Sequence, residues 1–240
     1  MKDLYGNKIP LMSHRGVKSA YPENTLGAYG DAIKEGFQAI ELDVVMSKNK
    51  TIYCSHNHDL ERETDGFGYI PNLSDAEINS CFAIHPITGR KEKIPRLEDV
   101  LKKLPNTMYL NIEIKSKTLF EFAVAARTVN LIKMHNRERR SMISSFNPLI
   151  LRAIRLLSRN IKTGFLIKSL SALRLYQFSG ADNIHPRADL INKGLLDYCN
   201  KRQIKIIPWT VNTSPARAHI LAQHIDEMIS DEKRLLSIGT

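Results

Sequence analysis

The chain has 240 residues, 42% of them hydrophobic, and a formal net charge of +10. Such a length makes one large domain or two small ones with a substantial core, and no apolar run reaches the roughly 18 residues that cross a bilayer. The basic balance favours anionic partners: phosphate-bearing small molecules, nucleic acid or acidic membrane surfaces. Three widely spaced cysteines, Cys54, Cys81 and Cys199, form neither a zinc pattern nor a disulfide framework and suit reduced thiols in a cytoplasmic protein. The opening MKDLYGNKIPLMSHRG lacks the apolar stretch of a signal peptide.

In chain order, IPLMS (Ile9–Ser13) reads as a short strand. The segment NTLGAYGDAIKEG follows, with Leu26, Tyr29 and Ile33 at helical spacing and Asn24 as its expected N-cap. FQAIELDVVM is the second strand. Its Glu41 and Asp43 stand two residues apart and so share one face. Only SKNK then separates VVM from TIYCS. A parallel crossover needs about a dozen residues, so this pair is expected to form an antiparallel hairpin. A turn centred between Lys48 and Asn49 would pair Glu41 with His56 and Asp43 with Cys54.

Residues 57–95 carry turn signals and little helical periodicity, and read as an insertion after the second strand. Its apolar side chains, Phe67, Tyr69, Ile70, Phe82 and Ile84, either face lipid or form a small core. MYLNIEI (Met108–Ile114) is the third strand, and Leu119, Phe122, Ala126 and Val129 mark the next helix face. Arg137 to Arg140 read as a solvated surface run. MISSF leads into a helix with Ile150, Ala153, Ile154 and Leu157 aligned, and TGFLI, ADNIH, IKIIPWTV and EMIS supply four further strands. Eight strands alternating with helices predict an α/β fold, a (β/α)8 TIM barrel forming one domain over 1–240. No glycine-rich G-x-G-x-x-G turn supports a doubly wound sheet.

Sites in such barrels form where the strands end. The first strand ends in His14, Arg15 and Gly16; the second carries Glu41 and Asp43; the hairpin returns His56; the third carries Glu113 and Lys115. Three carboxylates are hard ligands for one divalent cation, Mg²⁺ or Ca²⁺. Arg15 and Lys115 suit phosphate oxygens, and two histidines suit general acid and base. Phe146 and Trp209, at strand ends, either wall the substrate or join the core.

His14-Arg15-Gly16, Pro22-Glu23-Asn24-Thr25, Glu41-Leu42-Asp43-Val44, and His56 with Leu60, Arg62, Thr64, Gly66 and Gly68 resemble the glycerophosphodiester phosphodiesterase family. Glu113-Ile114-Lys115, Ser144-Ser145-Phe146, Trp209-Thr210-Val211-Asn212 and Met228-Ile229-Ser230-Asp231 continue the resemblance in order. It implies a TIM barrel with an insertion after strand two. It also implies His14 and His56 as the acid–base pair, Glu41, Asp43 and Glu113 as metal ligands, and Arg15 and Lys115 as phosphate contacts. The expected reaction is metal-dependent hydrolysis of a glycerophosphodiester to an alcohol and sn-glycerol 3-phosphate through a cyclic phosphate. The expected partner is a small-molecule phosphodiester, with no nucleic acid and no stable membrane insertion. The competing expectations are a lysophospholipase D or phospholipase-like enzyme at a membrane, and a non-catalytic anion-binding barrel. The sequence departs from the family at Asn57, where an Asp usually follows the second histidine, and at Glu227, where a small residue is usual.

Overall fold

The computed structural model describes residues 11–237. Ile9 and Pro10 of the expected first strand, and the first ten residues read for a signal peptide, lie outside this range. In chain order the strands are β1 (Leu11–His14), β2 (Ala39–Met46), β3 (Ile52–Cys54), β4 (Phe82–Ile84), β5 (Lys91–Lys93), β6 (Tyr109–Ile114), β7 (Ser141–Ser145), β8 (Lys162–Ile167), β9 (Asn183–Pro186), β10 (Lys205–Ile206) and β11 (Met228–Ser230). The helices are α1 (Leu26–Lys34), α2 (Asp75–Ser80), α3 (Leu97–Lys103), α4 (Phe122–Met134), α5 (Pro148–Leu157), α6 (Tyr176–Ser179), α7 (Lys193–Arg202) and α8 (Ser214–Ala222).

Eight strands pair in parallel in the order β10-β9-β8-β7-β6-β2-β1-β11. The two ends then meet: Ile229 N donates to Pro208 O and Val211 N donates to Ile229 O, both at 2.9 Å. The ring closes through the extended segment after β10, not through a regular ladder, because Pro208 has no N–H to give. The result is the (β/α)8 barrel expected from the strand count.

Two cores flank the ring wall. Met12, Ala39, Tyr109, Met142, Ile207 and Ile229 fill the barrel interior. Outside it, alternate strand residues such as Ile40, Leu42, Ile112 and Ile143 meet the helices. Helix α4 buries Val124, Ala125, Thr128, Val129 and Ile132. The stripe anticipated through Leu119, Phe122 and Ala126 is misplaced: Leu119 and Phe122 are exposed, because the helix starts only at Phe122 and turns its 125/128/129/132 face inward.

Strand β3 pairs antiparallel with β2, as the short connection requires. The register differs by one residue from expectation: Val44 faces Cys54, Val45 faces Tyr53 and Met46 faces Ile52. The turn holds five residues, closed by Ser47 N to Thr51 O at 2.9 Å, with Lys50 in the left-handed region at φ 65°. Asp43 therefore stands opposite Ser55, whose N–H donates to Asp43 O at 3.1 Å, and His56 lies beyond the ladder.

Residues 57–95 leave the barrel after β3. They contain α2, opened by a Ser74–Glu77 capping box, and the β4–β5 hairpin. Six helical residues are too few to show a 3.6-residue period, which is why the sequence shows no helix there. Leu60, Ile70, Ile78, Ala83 and Ile94 pack on Val45 and Tyr53 as a separate small core. Phe67 stays exposed.

The opposite end of the barrel differs from expectation at Arg137, which is buried. Its guanidinium donates to the carbonyls of Leu104, Pro105 and Met108 and to Asn106 Oδ1 at 3.0–3.2 Å. Glu227 is also buried, where it takes Lys205 as its ion-pair partner.

Candidate active site

Parallel register assembles the site. Neighbouring parallel strands lie about 4.8 Å apart and matched residues share a face. His14 matches Glu41, Glu41 matches Asn111, and Asp43 matches Glu113, which matches Ser144. The carboxylates of Glu41, Asp43 and Glu113 thus converge, each offering an oxygen within 4.8 Å of the others, and all three residues are buried.

The turn after β1 supplies Arg15, and the end of β6 supplies Lys115. Arg15 takes a left-handed backbone at φ 60° and Gly16 follows at φ 84°. A Cβ on Gly16 would lie 2.7 Å from the Ala28 backbone, so only glycine lets helix α1 approach this closely. The turn aims Arg15 back over the rim, where its Nε lies 2.9 Å from Asp43 and Nη1 lies 2.6 Å from Glu23. Lys115 Nζ reaches Glu113 at 2.5 Å and Asp43 at 2.8 Å.

Asn24 does not cap helix α1. Thr25 does so, accepting from Ala28 N at 3.3 Å. Asn24, buried and at φ 57°, instead donates to Asp43 Oδ2 at 2.9 Å and accepts from Asp43 N at 3.1 Å. Thr213 caps helix α8, and the neighbouring Asn212 binds Asp231.

These contacts set the charge states. Burial alone would raise the Asp43 carboxyl, but Lys115, Arg15 and His56 outweigh it and hold it well below the usual range. At Glu41 the same cations do not prevail. Burial, then Asp43 and Glu113, push its carboxyl well above its ordinary value, and its Oε2 has no hydrogen-bond partner among the described residues. The three carboxylates outnumber Arg15 and Lys115, and without a cation Glu41 is driven toward its protonated form. Hard oxygen donors in that arrangement fit a divalent cation.

The histidines differ in setting. His14 is mostly buried; its Nδ1 meets Asp231 Oδ1 at 2.7 Å and its Nε2 lies 3.9 Å from Glu41. Burial lowers its pKa below the ordinary value, and Asp231 only partly offsets this. Asp231 also accepts from Lys18 and from Asn212. His56 is more open and sits within 4.8 Å of ligand oxygens of Glu23 and Glu63. Phe146 and Trp209 meet edge to face at 5.7 Å, and Trp209 lines a narrow pocket with His14, Glu41, Glu113 and Ser144. A cavity of about 530 Å³ opens on the other side, lined by Arg15, Glu23, Ser55, Glu63 and Ile87 among others.

The positions of Asp231 and Asn24 beside His14 and Asp43 were not anticipated. An acid directly after the last barrel strand is the signal for the first. His185 lies within β9, fully buried, where burial and then Lys205 lower its pKa to about 3. Burial raises the Cys54 thiol to about 12 and Cys199 to about 11, so neither is a nucleophile.

Comparison with known proteins agrees with this architecture. A glycerophosphodiester phosphodiesterase of Caldanaerobacter subterraneus subsp. tengcongensis is 30% identical, over 95% of this chain and 96% of its own. The crystal structure of the Thermotoga maritima glycerophosphodiester phosphodiesterase is 27% identical with a TM-score of 0.74, covering 95% of this chain and 96% of that one. An Oleispira antarctica phosphodiesterase, solved in complex with the product sn-glycerol-3-phosphate, shares the fold at a TM-score of 0.85, 23% identity and 95% coverage of both chains. The model of the glycerophosphoryl diester phosphodiesterase family matches residues 14–235. A barrel whose rim gathers these acids and histidines, matched over nearly its whole length, places this chain in the glycerophosphoryl diester phosphodiesterase family, as an enzyme of the phosphoric diester hydrolase class.

Proposed function

We propose that the chain hydrolyses glycerophosphodiesters to an alcohol and sn-glycerol 3-phosphate, with Glu41, Asp43 and Glu113 holding one divalent cation, Mg²⁺ or Ca²⁺. The observation that carries this reading is the convergence of those three carboxylates beside His14. When bound, the cation supplies Lewis-acid polarisation of the phosphoryl group and a fixed position for the glycerol hydroxyls.

His14 and His56 are the proposed catalytic residues. With Nδ1–H directed at Asp231, His14 presents a free Nε2 lone pair to the site. Its lowered pKa keeps it neutral at pH 7, which suits a base. His14 takes the proton from the glycerol hydroxyl next to the ester, and that oxygen bonds to phosphorus. The bond from phosphorus to the alcohol oxygen breaks, and His56 protonates the departing alcohol. Water then opens the cyclic phosphate with the two roles reversed. Attack from within the substrate gains the high effective molarity of a tethered nucleophile. Arg15 and Lys115 hold phosphate oxygens and offset the charge that builds on them. Phe146 and Trp209 wall the glycerol side.

The substrate is proposed as a diffusible small molecule met in the cytoplasm, a reading supported by the free Cys54, Cys81 and Cys199. No helix among the described residues is long and apolar enough to cross a membrane. One observation favours a second reading, hydrolysis of lysophospholipid at a surface: Phe67, Ile87, Leu119 and Phe120 are exposed.

The test is release of sn-glycerol 3-phosphate from glycerophosphocholine. EDTA should abolish it and Mg²⁺ or Ca²⁺ restore it. Absence of release under any of these conditions, or release untouched by EDTA, defeats the proposal. Choline release from lysophosphatidylcholine in place of that activity selects the second reading.

A further inference from the structure

We propose that Glu63 is the positioning residue for His56, a role that the adjacent Asn57 is not charged to fill. The inference rests on the reading of His56 as the general acid and deepens it.

Asn57 follows His56 directly, and its side chain is an uncharged amide. Asn57 Nδ2 donates to Glu63 Oε1 at 2.6 Å, and that same oxygen faces His56 Nδ1 at 3.7 Å. Closing the second gap to a hydrogen bond takes about 1 Å of side-chain movement. The Glu63 backbone is fixed on both sides. Thr64 N and Oγ1 donate to Leu60 O at 3.0 and 2.6 Å, and Glu63 O accepts from Ile84 N at 2.8 Å. Leu60 in turn is buried in the small core of residues 57–95.

Charge balance singles out Glu63 from the other nearby acid. Glu23 already meets Arg15 at 2.6 Å and Lys18 at 3.7 Å. Among the described residues the Glu63 carboxylate meets no lysine or arginine, and its one ion-pair partner is the His56 ring. A carboxylate at Nδ1 fixes the tautomer and directs Nε2 at the leaving oxygen. Asn57 keeps that carboxylate pointed at His56. The segment after β3 therefore supplies the acid partner of one histidine, as the strand end after β11 supplies Asp231 to the other.

The experiment measures kcat and KM on glycerophosphocholine with saturating Mg²⁺ or Ca²⁺. Glu63→Gln should lower kcat about tenfold or more while KM stays within about twofold. The double variant Asn57→Asp/Glu63→Gln exchanges acid and amide within the same hydrogen bond, and should recover most of the lost kcat. Glu63 is 28% exposed in its side chain, so Glu63→Gln should keep the wild-type unfolding midpoint. Wild-type kcat in Glu63→Gln, or a double variant as slow as the single one, overturns the inference. His56→Ala separates the two levels. An active His56→Ala defeats the reading of the site, whereas an inactive His56→Ala beside a fully active Glu63→Gln defeats only the role of Glu63.

Discussion

His14 Nδ1 and Asp231 Oδ1 meet at 2.7 Å although 217 positions separate them in sequence. Asp231 is held for this task. Asn212 Nδ2 donates to its other oxygen at 2.7 Å, and Asp231 N donates back to Asn212 Oδ1 at 2.9 Å. Asp231→Asn should lower kcat about 10²-fold, the lower end of what general acid–base catalysis contributes. The carboxylate raises the His14 pKa against burial. Its removal should therefore move the acid limb of the pH–kcat/KM profile to lower pH. Steady-state rates across pH check both outcomes.

Glu41 links cation, proton and stability. Its raised carboxyl makes the native state bind a proton that the unfolded chain gives up. In cation-free protein this contribution is complete below the ordinary carboxylate pKa and is lost as pH rises through the raised one. Asp43 acts in the opposite sense: its depressed pKa stabilises above the ordinary value, and that stability is lost as pH falls through the lowered one. The cation-free melting temperature should thus fall as pH rises above the ordinary carboxylate range, and saturating Mg²⁺ or Ca²⁺ should flatten the slope and release protons. Glu41→Gln has nothing to titrate there. It should raise the cation-free melting temperature at pH values above the ordinary carboxylate range, and abolish hydrolysis.

Asn24 carries a structural duty next to the site. It makes two hydrogen bonds with Asp43, accepts a third from Tyr29 Oη at 3.2 Å, and sits at positive φ. Asn24→Ala loses a bond to a charged group and adds left-handed strain, for a cost of about 2–4 kcal/mol. Asn24→Gly removes the strain and should cost less. Urea unfolding of the three proteins gives the order.

Arg137 should separate stability from catalysis. It lies at the barrel end away from the site and satisfies four acceptors in the 104–108 loop. Arg137→Met leaves the buried carbonyls of Leu104 and Met108 unpaired and should destabilise by about 2–4 kcal/mol. Because stability and chemistry occupy opposite faces of such barrels, kcat measured well below the melting temperature should stay unchanged.

Much of this was legible in the sequence, and the exceptions have physical causes. Alternation in IELDVV and NIEIK puts Glu41, Asp43 and Glu113 on inward faces, and the short link after Met46 forces a hairpin. The register missed by one because Lys50 takes a left-handed turn, a choice that SKNK does not announce. Asn24 and Thr25 are adjacent and both able to cap; a carboxylate elsewhere in the chain decided which one did. Arg137 looks like any member of a charged run until the 104–108 carbonyls are seen around it. Asp231 escaped for the same reason, since its partner His14 lies across the fold. Glu63 is close to His56 in sequence, but irregular turns join them and no regular period relates the two side chains.

Ring closure has a consequence for biosynthesis. His14, the proposed base, and Asp231 come from the opening and closing ends of the barrel, and Pro208 and Val211 meet Ile229 only when the barrel seals. A nascent chain emerging from the ribosome holds its acids and His14 early, yet has no working centre until Asp231 clears the exit tunnel. Hydrolytic competence should therefore appear in one step, with no partly active fragment.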